Sequence, residues 1–149
     1  MLGDVIGRPG RKALAHALPI LLRERHVDLC VVNGENAAAG AGLTPSTFAH
    51  LKGYGAHVVT TGNHLLDKDA ILSVLGKDPT LLRPANCPPN VPGSGSCVVQ
   101  TASGISVGVA HAMGRVFMHG PMDCPFRALS AEVGKLKAKT SVIVVDFHA

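Results

Sequence analysis

Three apolar runs in this chain each break off into a short polar phrase. Leu29-Cys30-Val31-Val32 runs into Asn33-Gly34-Glu35-Asn36, Val58-Val59-Thr60-Thr61 into Gly62-Asn63-His64, and Val142-Ile143-Val144-Val145 into Asp146-Phe147-His148. Near the N-terminus Gly3-Asp4 precedes Val5-Ile6-Gly7, which reads as the turn after a strand cut short. Short runs rich in Val and Ile, bounded by Gly and Asn, read as buried strands. In open parallel α/β sheets ligands bind beyond the carboxyl ends of the strands. Here those ends carry Asp, Glu, Asn and His, which are oxygen and imidazole ligand types. Any one of them alone reads as a turn cap or a loop charge. Together, at successive strand ends, they point to a metal site with Glu35 at its centre and Asp4, Asn36, Asn63 and His148 around it.

Between the runs the spacing changes to that of helices. Pro9-Gly10 opens a helix to about Arg25, with Ala13, Leu14, Ala17, Leu18, Leu21 and Leu22 on one face and Pro19 as a kink. Thr44-Pro45 starts a second helix, Thr as N-cap and Pro at the first helical position, ending near Gly53-Tyr54-Gly55. A short helix follows from Asp67 or Lys68 to Leu75, then a strand at Leu81-Leu82-Arg83 and a Pro-, Gly- and Asn-rich loop over 84–96. Cys97–Thr101 and Ile105–Ala110 form an antiparallel hairpin about Ala102-Ser103-Gly104. His111–Pro125 reads as loop, Phe126 to about Lys137 as helix and Ser141–Asp146 as strand. The expectation is one α/β domain, a sheet with helices on both faces, incomplete at both ends. Strands are predicted at Val27–Val32 and His57–Thr61.

Composition narrows the class. Of 149 residues 46% are hydrophobic, enough for a core, while 16% are charged and 3% aromatic. The formal charge of +4 comes from scattered Lys and Arg, which suits an anionic substrate and is too weak for a nucleic-acid stripe. Four cysteines, at 30, 87, 97 and 124, have no C-x-x-C spacing and read as reduced thiols. No secretory leader and no membrane-length apolar run is visible, so a cytoplasmic location is expected.

His64 adjoins Asn63 and suits either a second imidazole ligand or a general acid. His111 ends a predicted strand and ranks low as a site residue. His16, His26, His50, His57 and His119 have no such context and read as surface or helix residues. Residues 3–10 mimic a phosphate loop but match neither G-x-G-x-x-G nor G-x-x-x-x-G-K-[ST]. A serine esterase is set aside because Val5 stands where the nucleophile would be.

Gly3-Asp4, Gly34-Glu35-Asn36, Gly62-Asn63-His64 and Asp146-Phe147-His148, in that order, resemble the calcineurin-like metallophosphoesterases. The longer phrases 3–11, 33–38, 83–86, 114–118 and 146–149 resemble one bacterial branch, the YmdB-like 2',3'-cyclic nucleotide phosphodiesterases. The resemblance implies that Asp4 and Asn36 hold one metal, that Glu35 bridges two, and that Asn63 and His148 hold the second. It makes His64 the donor of a proton to the leaving oxygen. It implies two divalent or trivalent cations, iron or manganese, and a cyclic nucleotide or an RNA-end phosphate as substrate. No membrane partner is implied, and a homo-oligomer stays open. The resemblance also implies a further Gly-Thr-His-Thr-His-like segment with one histidine for each metal, so residues 1–149 are expected to be a partial domain. Leu65-Leu66 stands where the family commonly has an aromatic. Three alternatives remain: a phosphomonoesterase or general phosphodiesterase with the same site, a non-catalytic nucleotide- or RNA-binding regulatory fragment, and a product that does not fold stably alone.

Overall fold

Helix α1, Gly7–Glu24, leads into the short strand β1, Val31–Asn33. These come from a computed structural model, which describes residues 1–118 and 120–149; His119, grouped above with the surface histidines, lies outside them. Helix α2, Pro45–Gly53, and strand β2, Val58–Thr60, follow. A 3₁₀ helix at Asp69–Ser73 precedes β3, Leu81–Leu82. Strands β4, Ser96–Gln100, and β5, Ser106–Met113, form the expected hairpin. Helix α3, Pro125–Lys137, and strand β6, Val142–His148, complete the order.

The strands divide into two sheets. One is parallel, β1-β2-β3; the other is β4-β5-β6, with β4 antiparallel and β6 parallel to β5. The period of two along each strand decides what each face meets. Val32, Val59 and Leu81 face Leu14 and Leu18 of α1 and Phe48 and Leu51 of α2. Val31, Val58 and Leu82 face the other way and pack on Val109 of β5. Helix α3 covers the far side of the second sheet, where Gly108 lets Leu136 lie close. Helices therefore flank the β layers on both outer faces, and the α/β class read from the sequence holds.

Several boundaries move. β1 starts at Val31 rather than Val27, because the Cys30 N–H is taken by Nδ1 of His57 at 3.0 Å. His57 is thus a backbone acceptor. Leu2 pairs with β1 through a single bridge at Val32. The buried stripe of α1 is narrower than expected: Leu14 and Leu18 are buried, while Ala13, Ala17 and Leu21 are exposed. The short helix is 3₁₀ and ends at the Val74 cap, with a turn at Gly76, φ 89°, beyond it. β5 and β6 each run beyond the expected end, because His111 pairs with Asp146, Ala112 with Phe147 and Met113 with His148. His111 is therefore inside a strand and fully buried. The α2 start is as read: Thr44 caps the helix, taking the Thr47 N–H at 3.2 Å while Thr47 Oγ1 accepts from the Thr44 N–H at 2.8 Å. Among the described residues no helix is long and apolar enough to cross a membrane.

Candidate metal centre

Both sheets aim strand ends at one place. Glu35 follows β1 by two residues; Gly62 and Asn63 follow β2; His148 is the last residue of β6. The turn from Asn33 is fixed from within, since Asn33 Oδ1 accepts the Glu35 N–H at 3.2 Å and its amide donates to Thr61 O at 3.1 Å. That pins Glu35 under Gly62. A Cβ on Gly62 would lie 1.5 Å from Glu35 Oε2, so only glycine leaves the carboxylate its space.

The expected ligands form a continuous chain of contacts. Asn36 Nδ2 donates to Asp4 Oδ2 at 2.8 Å and to Glu35 Oε1 at 3.2 Å. His148 Nε2 lies 3.3 Å from Glu35 Oε1 and 2.9 Å from Asn63 Oδ1. Asp4, Asn36, Glu35, His148 and Asn63 are brought together from four segments of the chain. Asp4 is exposed and reaches the group through Asn36; Glu35 is 2% exposed. Burial pushes the Glu35 carboxyl above its usual value; His148 and His64 pull it back, and Asp4 raises it further.

The donor set fits a cation. Four buried side-chain atoms among the described residues have no hydrogen-bond partner, and two of them are Glu35 Oε2 and Asn36 Oδ1. A buried unpaired acceptor costs about 1–3 kcal/mol, more when charged, so two in adjacent residues are expensive unless something satisfies both. Carboxylate, amide oxygen and imidazole are the ligand types of a hard or borderline cation. No group of three or more His, Cys, Asp or Glu is gathered as a metal site among the described residues. Here amides supply the share that a histidine or acid would.

His64 stands beside the cluster, not in it. Its Nδ1 is 2.7 Å from Asp67 Oδ2. A carboxylate only accepts, so the proton is on Nδ1 and Nε2 is left for another group. Asp67, which the sequence marks only as a helix start, is thereby joined to the residue beside the cluster. Its one signal there is the three-residue spacing from His64 in a turn. His111 lies within the core, 3.4 Å from Asp146 Oδ2, which also accepts from Thr60 Oγ1 at 2.5 Å. Burial raises the Asp146 pKa, but the hydrogen bonds from His111 and Thr60 outweigh it, and the net shift is downward. This buried group ties β2 to β5 and β6, and so holds His148 against Asn63.

Known proteins share both the sequence and the fold. The chain is 38% identical over 148 residues to the 2',3'-cyclic-nucleotide 2'-phosphodiesterase of Bacillus subtilis, covering 99% of this chain and 55% of that protein. It is 31% identical over 153 residues to a putative phosphatase/phosphodiesterase of Mycoplasma pneumoniae, covering 99% and 53%. The fold is similar to the crystal structure of a phosphatase from Mycoplasma pneumoniae, with a TM-score of 0.86 at 31% identity over 99% of this chain and 53% of that one. It is also similar to a hypothetical protein from Thermus thermophilus, with a TM-score of 0.84 at 36% identity over 99% and 56%. The chain spans about half the length of the curated relatives it matches. The family described as YmdB-like protein matches residues 1–149, and the chain belongs to that family.

Proposed function

We propose that this chain carries the hydrolytic centre of a metal-dependent phosphodiesterase acting on 2',3'-cyclic nucleotides. The observation that supports it most is the cluster itself: five donor residues from four segments in mutual contact, with Glu35 Oε2 and Asn36 Oδ1 buried and unpaired. Asp4 and Asn36 would hold one cation, Asn63 and His148 a second, and Glu35 would lie between them. Iron or manganese suits this mixture of oxygen and imidazole donors. Cations held there would neutralise phosphate charge and acidify water at neutral pH.

The chain's own residues have defined tasks. His148 Nε2 faces two acceptors, Glu35 Oε1 and Asn63 Oδ1, so that nitrogen carries a proton when no cation is bound. A cation held at that nitrogen would take the place of the proton. Asn36 turns its amide nitrogen toward two carboxylates, and a flip of that amide would bring Oδ1 to the side that Asp4 and Glu35 share. Asp67 holds Nδ1 of His64 and so fixes the ring, from which Nε2 would give a proton to the departing 2' or 3' oxygen as water adds to phosphorus.

The test is turnover after titration with manganese or ferrous iron, comparing a 2',3'-cyclic nucleotide with p-nitrophenyl phosphate. Metal-dependent opening of the cyclic ester is expected; nucleotide binding with no turnover at any metal loading would refute the reading. A phosphomonoesterase with the same site is the second reading, favoured by the broader name of the Mycoplasma pneumoniae relative. Preference for the simple ester would select it.

A further inference from the structure

Beside the donor cluster lies an apolar pocket of about 390 Å³ that opens at Gly62 and Asn63. Its walls come from Leu65 and Leu66 on one side and from Pro88, Val91 and Met122 on the other. Asn63 and Asn90 supply polar side chains, and among the described residues no Asp, Glu, Lys or Arg lines it. Leu65 is buried, while Leu66 is 51% exposed at the rim. The size falls within the range of small-molecule sites, which are apolar with a few placed polar groups.

Position decides what such a pocket can take. A phosphate has no cationic partner among these walls and belongs with the cluster. Leu65 and Leu66 directly follow His64. A proton donor must sit at the oxygen that departs, and in a cyclic nucleotide that oxygen belongs to the nucleoside. The body of the substrate therefore extends from His64 toward Leu66. At the opposite end of the cluster, the groove beside Asp4 is lined by Ile6 and Pro9 as well, but it carries the charge of Arg8, which suits further phosphate.

We propose that this pocket seats the nucleobase, its apolar walls taking the ring faces and Asn90 a polar edge. This rests on the phosphodiesterase reading above and adds a specificity element to it. The pocket is bounded by segments far apart in sequence, the turn after β2 and the loops before β4 and α3. It forms only in the folded chain.

The experiment compares wild type with Leu66→Glu and Asn90→Ala, both at exposed positions. One readout is the ratio of kcat/KM for 2',3'-cyclic AMP to that for ribose 2',3'-cyclic phosphate, which lacks the base. The other is calorimetric binding of adenosine without added metal. Removing the apolar contact that Leu66 offers a base, Leu66→Glu should lower the ratio by about 10-fold and weaken adenosine binding in parallel. Hydrolysis that proceeds with an unaltered ratio and no adenosine binding overturns the pocket and leaves the phosphodiesterase reading intact. Adenosine binding that Leu66→Glu removes, in a chain that hydrolyses no phosphodiester, supports the pocket and sinks the hydrolytic reading instead.

Discussion

Thr60 donates its hydroxyl proton to the Asp146 carboxylate at 2.5 Å, and the bond joins one sheet to the other. It lies two strand positions from His148 and three residues from Asn63, so the site's alignment depends on it. Thr60→Val keeps the shape and removes the donor. With Asp146 only 5% exposed, the loss should cost about 1–3 kcal/mol, read as a lower urea midpoint.

Asp146 also sets a pH dependence. Its folded pKa is depressed, so its contribution is fully present above the unfolded value, about 3.9, and is lost as pH falls through the folded value. Stability should therefore fall steeply below about pH 4. Thr60→Val, with less depression, should lose less over that window. Equal acid sensitivity in both proteins would count against this assignment.

Glu35 opposes folding and favours loading. Burial raises its pKa, so the ionised form is unfavourable in the cation-free chain. Glu35→Gln should melt higher than wild type without metal; about 1 kcal/mol would move Tm about 2–4 °C. The same variant should lose two-cation binding and more than about 100-fold in turnover, beyond what loss of an outer partner costs. Calorimetry showing two cations at undiminished affinity would refute the bridging role. Gly62→Ala should be comparably damaging, because its Cβ would collide with Glu35 Oε2.

His64 and Asp67 should fail together in rate and not in metal content. General acid catalysis is worth about 10²–10⁴-fold, so His64→Ala should lower kcat within that range with cation stoichiometry preserved. Asp67→Ala should lower kcat less and displace the acidic or basic limb of the pH–rate profile. Cation loss from His64→Ala would make His64 a ligand.

The thiols should separate by reactivity. The backbone N–H groups of the first turn of α3, Arg127 first and then Phe126, hold the pKa of the partly exposed Cys124 below the usual value. Burial pushes Cys97 up to about 11 and also raises Cys30 and Cys87. Iodoacetamide at pH 7 should label Cys124 more than about 10-fold faster than Cys97, by peptide mass mapping. Equal labelling would contradict the environments described.

The strand-end phrases carry most of what can be read in advance. Glu35, Asn36, Asn63 and His148 are marked in sequence because a polar group set directly after a buried apolar run lies at the sheet's rim, where ligands bind. The division into two sheets is not legible, since Val142–Val145 reads alike whether it extends one sheet or builds a second. Asp67 is hidden because a His-Asp contact across a turn depends on side-chain direction, and the pattern of apolar residues says nothing about that. His111 looks like a strand end because the run of β-formers stops at Ala110, whereas pairing with β6 carries the strand on to Met113.

Strand β6 has β5 as its only neighbour among the described residues, and Val142, Val145 and Phe147 are each more than 40% exposed along it. Its outer rim offers free amides between oily side chains, the arrangement to which a stray strand adds most readily. Dilution, salt and a charged residue introduced at Val145 thus become practical levers on whether the chain stays dispersed. Light scattering that rises with protein concentration in wild type and not in Val145→Lys would trace clumping to that seam.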